Sequence, residues 1–194
     1  MLQRRFHSQS FSKYIRNGNA DTSPDDPKPA DSMTHGFGEM EISLDPNDDE
    51  PLPIWVMKMT QSAYRDMMEH LESRRPEAAG ILIGPVADDM VVTHFVADTH
   101  GRSSPASFQL HTPSLNRELR KAKLARMNCK GIVHSHPSGI PQPSHGDLNY
   151  LESLFQLPAN AAAMQFFMPI VCDGRLHPYV YSQGGVWPTS LLLV

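Results

Sequence analysis

The stretch that decides the fold is Gly131-Ile-Val-His-Ser-His-Pro-Ser-Gly-Ile-Pro-Gln-Pro-Ser-His-Gly-Asp147. The run from Cys129 to Val133 is apolar and β-branched enough to predict a buried strand. Side chains two positions apart on a strand share a face, so His134 and His136 are expected to point the same way where the strand ends.

Three prolines and a glycine follow the histidines and predict a stiff loop without regular structure. Ser144 then begins a helix, and Asp147 lies within its first turn. A loop that folds back would bring Asp147 beside His134 and His136. Two imidazoles and one carboxylate are a ligand set of hydrolytic zinc sites, which leave a fourth position open for water.

A purely structural interpretation is also available for these residues. Ser144-x-x-Asp147 has the spacing of a capping box, the ordinary start of a helix, and His-Ser-His could simply end a strand with polar side chains. Capping and metal binding are compatible, because Ser144 could cap the helix while its hydroxyl also faces a water on the metal.

The pattern His-x-His-Pro-x6-Ser-x2-Asp resembles the JAMM signature of JAB/MPN-domain metalloproteases. That family also places a glutamate upstream, and Glu77 lies in Pro76-Glu-Ala-Ala-Gly-Ile-Leu-Ile-Gly84, which looks like the family's Glu-x-x-Gly-x-Leu-x-Gly strand. The resemblance covers residues 54 to 182. It implies an α/β fold, a single JAB/MPN-like (cytidine-deaminase-like) sandwich with a mixed sheet flanked by helices. The short, insertion-poor core looks like the prokaryotic branch.

The resemblance also implies a role for each motif residue. His134, His136 and Asp147 would bind one Zn²⁺ per chain, with water completing the tetrahedron. Glu77 would act as general base and then as proton donor to the leaving amine. Ser144 would hydrogen-bond the tetrahedral oxyanion. The implied enzyme is a JAMM-type zinc metallopeptidase, a deubiquitinase-like isopeptidase.

Composition divides the chain into two parts. Residues 1–20 carry four basic side chains and no acid, whereas residues 21–50 carry ten acids and one lysine. We therefore predict a disordered tail over residues 1–50, basic and then acidic. The resemblance implies that residues 51–194 are a JAB/MPN metalloprotease domain. The formal net charge of −4 comes from the tail.

The sequence has no apolar stretch long enough to span a membrane. Cys129 and Cys172 lie in apolar strands and favour buried, reduced thiols of a cytoplasmic protein, although a disulfide between them stays open. The basic, serine-containing start superficially resembles a mitochondrial transit peptide.

Periodicity and turn residues predict the remaining elements. They are a lead-in strand over Ile54–Met59, a helix capped by Thr60 and running to about Ser73, strands over Ala78–Ile83 and Met90–Val96, a loop over His100–Pro105, a helix over about Pro113–Met127, a helix over residues 145–157, and a hairpin of Phe166–Cys172 with Leu176–Tyr181. His111 and His145 either lie near the site or are ordinary loop and surface histidines.

Three functions fit the sequence. The first is a zinc peptidase or isopeptidase acting on a ubiquitin-like protein or its conjugates, whose tail the loop Ser103 to Ser107 could hold as an added strand. The second is a RadC-like, nucleic-acid-associated protein, supported only by the basic stretch 117–130. The third is an inert MPN scaffold. We expect neither nucleic acid nor a membrane as partner, and a homodimer is open.

Overall fold

The computed structural model describes residues 55–73, 77–104, 107–157, 160, 163–182 and 185–194. The predicted disorder of residues 1–50 and the predicted domain boundary at residue 50 lie outside these residues. Along the chain the elements are β1 Val56–Met59, α1 Gln61–Glu72, β2 Ala79–Pro85, β3 Val91–Val92, β4 His94–Ala97, β5 Arg102–Ser104, β6 Ser107–Gln109, α2 Thr112–Leu124, β7 Met127–Ser135, α3 His145–Phe155, β8 Gln165–Phe167, β9 Ile170–Cys172, β10 Arg175–His177, β11 Tyr179–Ser182, β12 Gly185–Pro188 and β13 Ser190–Leu193.

The strand that carries the histidines, β7, lies in the middle of an eight-stranded sheet. It pairs antiparallel with β2 on one side and parallel with β8 and β9 on the other. The strand β4 continues the sheet beyond β2, β11 and β12 continue it beyond β8, and β10 pairs with β9. The predicted mixed sheet is therefore confirmed. A smaller parallel sheet has the order β13-β1-β3, and β5 pairs with β6 in a separate hairpin.

Helices cover both faces of the main sheet. The buried face of α1 packs with Leu82 and Val133 in one hydrophobic cluster, whereas α2 and α3 pack with Ile81 and Ile132 in the other. Adjacent residues of a strand thus alternate between the two clusters, as the pleat requires. A side chain on Gly131 would place its Cβ 2.2 Å from the Phe167 carbonyl oxygen, so this glycine allows β7 and β8 to approach closely.

Helix α1 begins and packs as its sequence predicts. The Thr60 hydroxyl accepts a hydrogen bond from Ala63 N, and the predicted apolar face (Ala63, Met67, Met68 and Leu71) is buried. Helix α2 ends at Leu124, three residues before the predicted end. Arg126 adopts a φ of 58°, a left-handed conformation that stops the helix and turns the chain into β7.

Three element predictions are wrong. The run Met90–Val96 is two strands in different sheets, because Thr93 donates both its N–H and its hydroxyl to Ile83 O and interrupts the pairing. In the predicted hairpin, Phe166–Cys172 breaks at Pro169 and Leu176–Tyr181 breaks at Pro178, because proline has no N–H to donate to a ladder. The segment His100–Pro105, expected to be a loop, contains β5. None of the helices among the described residues is long and apolar enough to cross a membrane.

Candidate metal centre

Strand pairing sets the direction of the first histidine. Ile132 lies in the hydrophobic cluster on the α2 and α3 side of the sheet. His134 follows two positions later and therefore points to the same side, where α3 begins. Its side chain has no exposed surface.

Three side chains converge at this point, as the sequence predicts. His134 Nε2 lies 2.8 Å from His136 Nε2. Asp147 Oδ1 lies 3.2 Å from His134 Nε2, and Asp147 Oδ2 lies 3.3 Å from His136 Nε2. Among the residues that the structure describes, this is the group of three His, Cys, Asp or Glu side chains able to offer ligand atoms to one ion.

The spacing of these atoms fits a small tetrahedral cation. Zinc bonds of about 2.0–2.1 Å place the ligand atoms of a tetrahedron about 3.3 Å apart. The two ring nitrogens are 2.8 Å apart, and Asp147 lies 3.2 Å from His134 through Oδ1 and 3.3 Å from His136 through its other oxygen, so each pair of groups is near this separation. Two nitrogens and one carboxylate oxygen are also the donor types that zinc takes in hydrolytic sites. The residues therefore form a possible metal site.

A second hydrogen bond fixes the tautomer of His136. Its Nδ1 lies 2.9 Å from Ile140 O, and a carbonyl oxygen only accepts, so Nδ1 carries the proton. The Nε2 atom of the neutral ring then presents its lone pair to the cluster, as metal binding requires. Burial lowers the pKa of His136, but the protonated ring also donates from Nε2 to Asp147, and this bond together with the one to Ile140 outweighs burial, so the pKa is raised.

Asp147 has a structural role as well as its place in the cluster. Its Oδ2 accepts hydrogen bonds from Ser144 N and from the Ser144 hydroxyl, both at 2.7 Å, while Ser144 Oγ accepts from Asp147 N. This is the complete capping box that the sequence allows. Burial opposes ionisation of Asp147, but hydrogen bonds from His134, His136 and Ser144 hold its pKa well below the usual range.

Glu77 lies directly before β2, on the edge that faces the end of β7. Ala79 pairs with His134, so continuation of the antiparallel register brings Glu77 opposite His136 and onto the same face. Ala78 N donates to Ser135 Oγ at 2.9 Å and fixes this register. Burial raises the pKa of Glu77, His136 lowers it and the negative charge of Asp147 raises it further. Glu77 is thus close enough to both residues to interact with their charges.

The histidine-to-helix loop is attached to the neighbouring hairpin of β9 and β10. His136 N donates to Val171 O, Gly139 N donates to Asp173 Oδ2, and the Cys172 thiol donates to Pro137 O. These contacts hold the first half of the loop beside β9.

The structure brings together the five residues that the sequence selects, and their catalytic roles stay predictions. Ser144 is exposed at the start of α3, and its hydroxyl proton is directed to Asp147 in this structure. His145 is exposed on α3. His111 lies before α2, where its Nδ1 bonds to Ser114 Oγ and its ring contacts His100.

Two residues near the site were missed in the sequence. Phe108 packs its ring against His134, and Asp98 is a buried carboxylate that binds backbone N–H groups on both sides of the β5–β6 hairpin. Neither stands in a motif. A phenylalanine and a single aspartate become recognisable only when the fold places the β5–β6 hairpin beside the main sheet.

Within the described part of the chain, the remaining sequence features add no ligand to this group. Cys129 and Cys172 are both buried and free, so no disulfide joins them. In the basic stretch 117–130 the basic side chains up to Arg126 are exposed, but Lys130 is buried and donates to Asp89 Oδ1 at 2.9 Å.

Comparisons with known proteins agree with this geometry. The model of a family described as prokaryotic homologs of the JAB domain matches residues 60–181. The solution structure of a protein from Desulfitobacterium hafniense is 18% identical, covers 72% of this chain and 92% of its own, and has a TM-score of 0.56. A comparison with curated proteins found no match.

Two further structures match with lower TM-scores. The crystal structure of a JAB1/MPN domain protein from Archaeoglobus fulgidus is 22% identical, covers 70% of this chain and 99% of its own, and has a TM-score of 0.42. The solution structure of a protein from Salinibacter ruber is 21% identical, covers 71% of this chain and 92% of its own, and has a TM-score of 0.45. By the family match, its α/β fold and its His-His-Asp group, this chain belongs to the prokaryotic JAB/MPN-domain proteins.

Proposed function

We propose that this protein is a zinc-dependent peptidase or isopeptidase that cuts at the C-terminus of a ubiquitin-like protein, in processing or in deconjugation. The observation that carries the proposal is the convergence of His134, His136 and Asp147 into one group of potential ligands. Glu77 lies just before β2, where continuation of the strand register brings it opposite His136.

The ligand residues would hold the ion through His134 Nε2, His136 Nε2 and an oxygen of Asp147. A bound zinc ion lowers the pKa of water to about 7 and polarises the scissile carbonyl. Ile140 O and the Ser144 N–H fix the orientation of His136 and Asp147 before the ion binds.

Glu77 is suited to move the protons of hydrolysis. It would take a proton from the attacking water and deliver it to the leaving amine. General acid–base catalysis is most efficient when the pKa of the group is near the working pH, and burial raises the pKa of Glu77 in that direction. The Ser144 hydroxyl would stabilise the oxyanion, once its proton turns from Asp147 to the substrate.

The substrate class is inferred from the backbone near the site. The β5–β6 hairpin is a two-stranded sheet that is not paired with a strand of the main sheet. A free strand edge can take up an extended peptide through main-chain hydrogen bonds, without demanding particular side chains. An extended C-terminal tail rich in glycine, as in ubiquitin-like proteins, suits this mode of binding.

The test uses lysate of host cells that express the Glu77→Gln variant, in which uncut substrates should accumulate. This lysate is treated with wild-type protein loaded with zinc or treated with a chelator, and new protein termini are identified by mass spectrometry. We expect a small protein ending in glycine to be released only with zinc. The matched control is His134→Ala protein given the same zinc.

Cleavage that is equal with and without chelator, or equal with His134→Ala protein, would contradict the metal-dependent mechanism. Release of peptides unrelated to a small protein would keep the peptidase and reject the ubiquitin-like substrate.

A further inference from the structure

The two histidines of the site are held in different ways. His136 donates its Nδ1–H to Ile140 O, the usual arrangement of a metal-binding histidine. The Nδ1 atom of His134 is buried and has no hydrogen-bond partner among the described residues. The Nε2 atom meets Asp147 and His136, but on its Nδ1 side the ring of His134 can be held only by packing.

The packing partner is a ring on the β5–β6 hairpin. The centroids of the Phe108 and His134 rings are 4.5 Å apart, and the ring planes are inclined by 34°. An imidazole with a flat ring against its face cannot rotate freely about its χ2 torsion. Phe108 thus restricts the direction in which His134 Nε2 points.

A buried carboxylate fixes the hairpin that carries Phe108. Asp98 Oδ1 accepts a hydrogen bond from His100 N at 3.2 Å, and Asp98 Oδ2 accepts one from His111 N at 2.6 Å. These two amides lie on either side of the hairpin, so one side chain joins both of its ends.

Asp98 is itself attached next to the metal strand. Its N–H donates to Ala79 O at 2.9 Å, and Ala79 pairs with His134. Gly101 leaves room for the carboxylate, because a Cβ at that position would lie 2.5 Å from Asp98 Oδ2. The hairpin therefore has a defined position relative to His134.

We propose that Phe108 is a positioning residue for the metal ligand His134, and that Asp98 acts through Phe108 by fixing the hairpin. The proposal rests on the proposed function in one respect, that the site binds zinc. It assigns the hairpin a second task besides holding substrate: an element on which a substrate strand would lie also sets the geometry of the metal.

The first experiment measures zinc affinity of the full chain by competition with a chromophoric chelator. We expect Phe108→Ala to weaken binding by about 10-fold, the lower end of the effect of removing an outer partner of a ligand. Phe108→Leu keeps the apolar volume without a flat ring and should behave alike, which covers a failure of the alanine variant to fold. Phe108→Tyr keeps the ring and should restore wild-type affinity.

A matched control separates positioning from a general loss of stability. Phe95→Ala removes another aromatic ring that contacts a histidine, since Phe95 lies 5.7 Å from His70, outside the site. It should lower the unfolding temperature without changing zinc affinity. The visible spectrum of the cobalt-loaded protein should change in Phe108→Ala and stay unchanged in Phe95→Ala.

The second experiment tests whether Asp98 acts through Phe108. Asp98→Asn loses one of the two acceptors and should weaken zinc binding by a few-fold, whereas Asp88→Asn, a turn carboxylate that accepts from Met90 N, should not. The double variant Asp98→Asn/Phe108→Ala should bind zinc no more weakly than Phe108→Ala alone.

Three outcomes would overturn the proposal. Equal zinc affinity in wild type and Phe108→Ala would remove the role of Phe108 while leaving the zinc enzyme intact. Additive losses in the double variant would show that Asp98 does not act through Phe108. A wild-type chain that binds no zinc would overturn both this inference and the proposed function.

Discussion

The two ends of β7 each bury charge, and they do so differently. Near the start of the strand, the Lys130 side chain is 2% exposed and has one carboxylate partner, Asp89, at 2.9 Å. At the other end, three potential metal ligands converge, namely His134, His136 and Asp147. The first arrangement is complete in itself, because one positive charge meets one negative charge. In the second arrangement three side chains offer lone pairs to one point, and this pattern indicates a site for a bound cation.

The largest contrast is expected in catalysis. Glu77→Gln should lower turnover by about 100- to 10,000-fold, the usual contribution of a general acid–base residue, because an amide cannot accept the proton. Zinc binding should be kept, since Glu77 is not among the converging ligands. Peptide release from the identified substrate and zinc titration would be measured on the same protein. Full turnover in the variant would show that another group is the base.

The next contrast concerns metal affinity. Asp147→Asn should weaken zinc binding by about 100-fold or more, because loss of a ligand exceeds the cost of losing an outer partner. Lys130→Met removes the other buried charge of the strand and should leave zinc affinity unchanged. Isothermal titration with zinc measures the affinity of both variants. An equal loss of zinc affinity in Lys130→Met would contradict the distinction between the two ends of β7.

Zinc should also stabilise the folded chain, because the unfolded chain does not hold the three ligands together. At 100 times the dissociation constant, the free energy of unfolding should rise by about 2.7 kcal/mol. Urea denaturation with and without zinc measures this increase. The same zinc concentration should stabilise Asp147→Asn by about 0.4 kcal/mol or less, and a chelator should reverse the effect in the wild type.

A smaller effect, on the free energy of unfolding, is expected at the Lys130–Asp89 ion pair. Lys130→Met should change the free energy of unfolding by about 1 kcal/mol or less, because the methionine fills the volume and Asp89 is 57% exposed and stays hydrated. Lys130→Ala leaves a cavity and should cost about 1–3 kcal/mol. Urea denaturation of the two variants would separate the contribution of the charge from that of the side-chain volume. An equal loss of unfolding free energy in both variants would assign the stability to the ion pair.

The smallest effect is expected at Cys129, next to Lys130. Burial raises the pKa of the Cys129 thiol to about 12. The thiolate is the reactive form, and at pH 8 it would be about one part in ten thousand. Reactivity should therefore increase only as the pH rises toward that pKa. Alkylation of native protein followed by peptide mass mapping should find Cys129 unmodified at pH 8 and modified after unfolding. Rapid native labelling would show that this end of β7 opens.

The sequence predicts the candidate metal site better than the structure around it. His134 and His136 share a face because strand geometry leaves no choice, and Ser144 with Asp147 defines a helix start that is local in sequence. These predictions need only neighbours along the chain. The α/β class and the burial of α1 follow from periodicity for the same reason.

What the sequence does not predict depends on distant partners. The apolar run Met90–Val96 does not reveal that Thr93 bonds to Ile83 O and sends the chain into a second sheet. The composition of His100–Pro105 indicates a loop, yet pairing with Ser107–Gln109 makes a hairpin. Phe108 gains its meaning from His134, which is 26 positions away and on another strand.

The proline-containing loop between His136 and Ser144 has a consequence for the choice of ion. Because its start is already bonded to β9 and its turn, and its end is held by the capping box, little chain entropy remains to be lost when an ion enters. A preformed cage also resists expansion. Calcium needs six to eight oxygens at about 2.3–2.6 Å. This site should therefore select ions by their radius as well as by the chemistry of its donors.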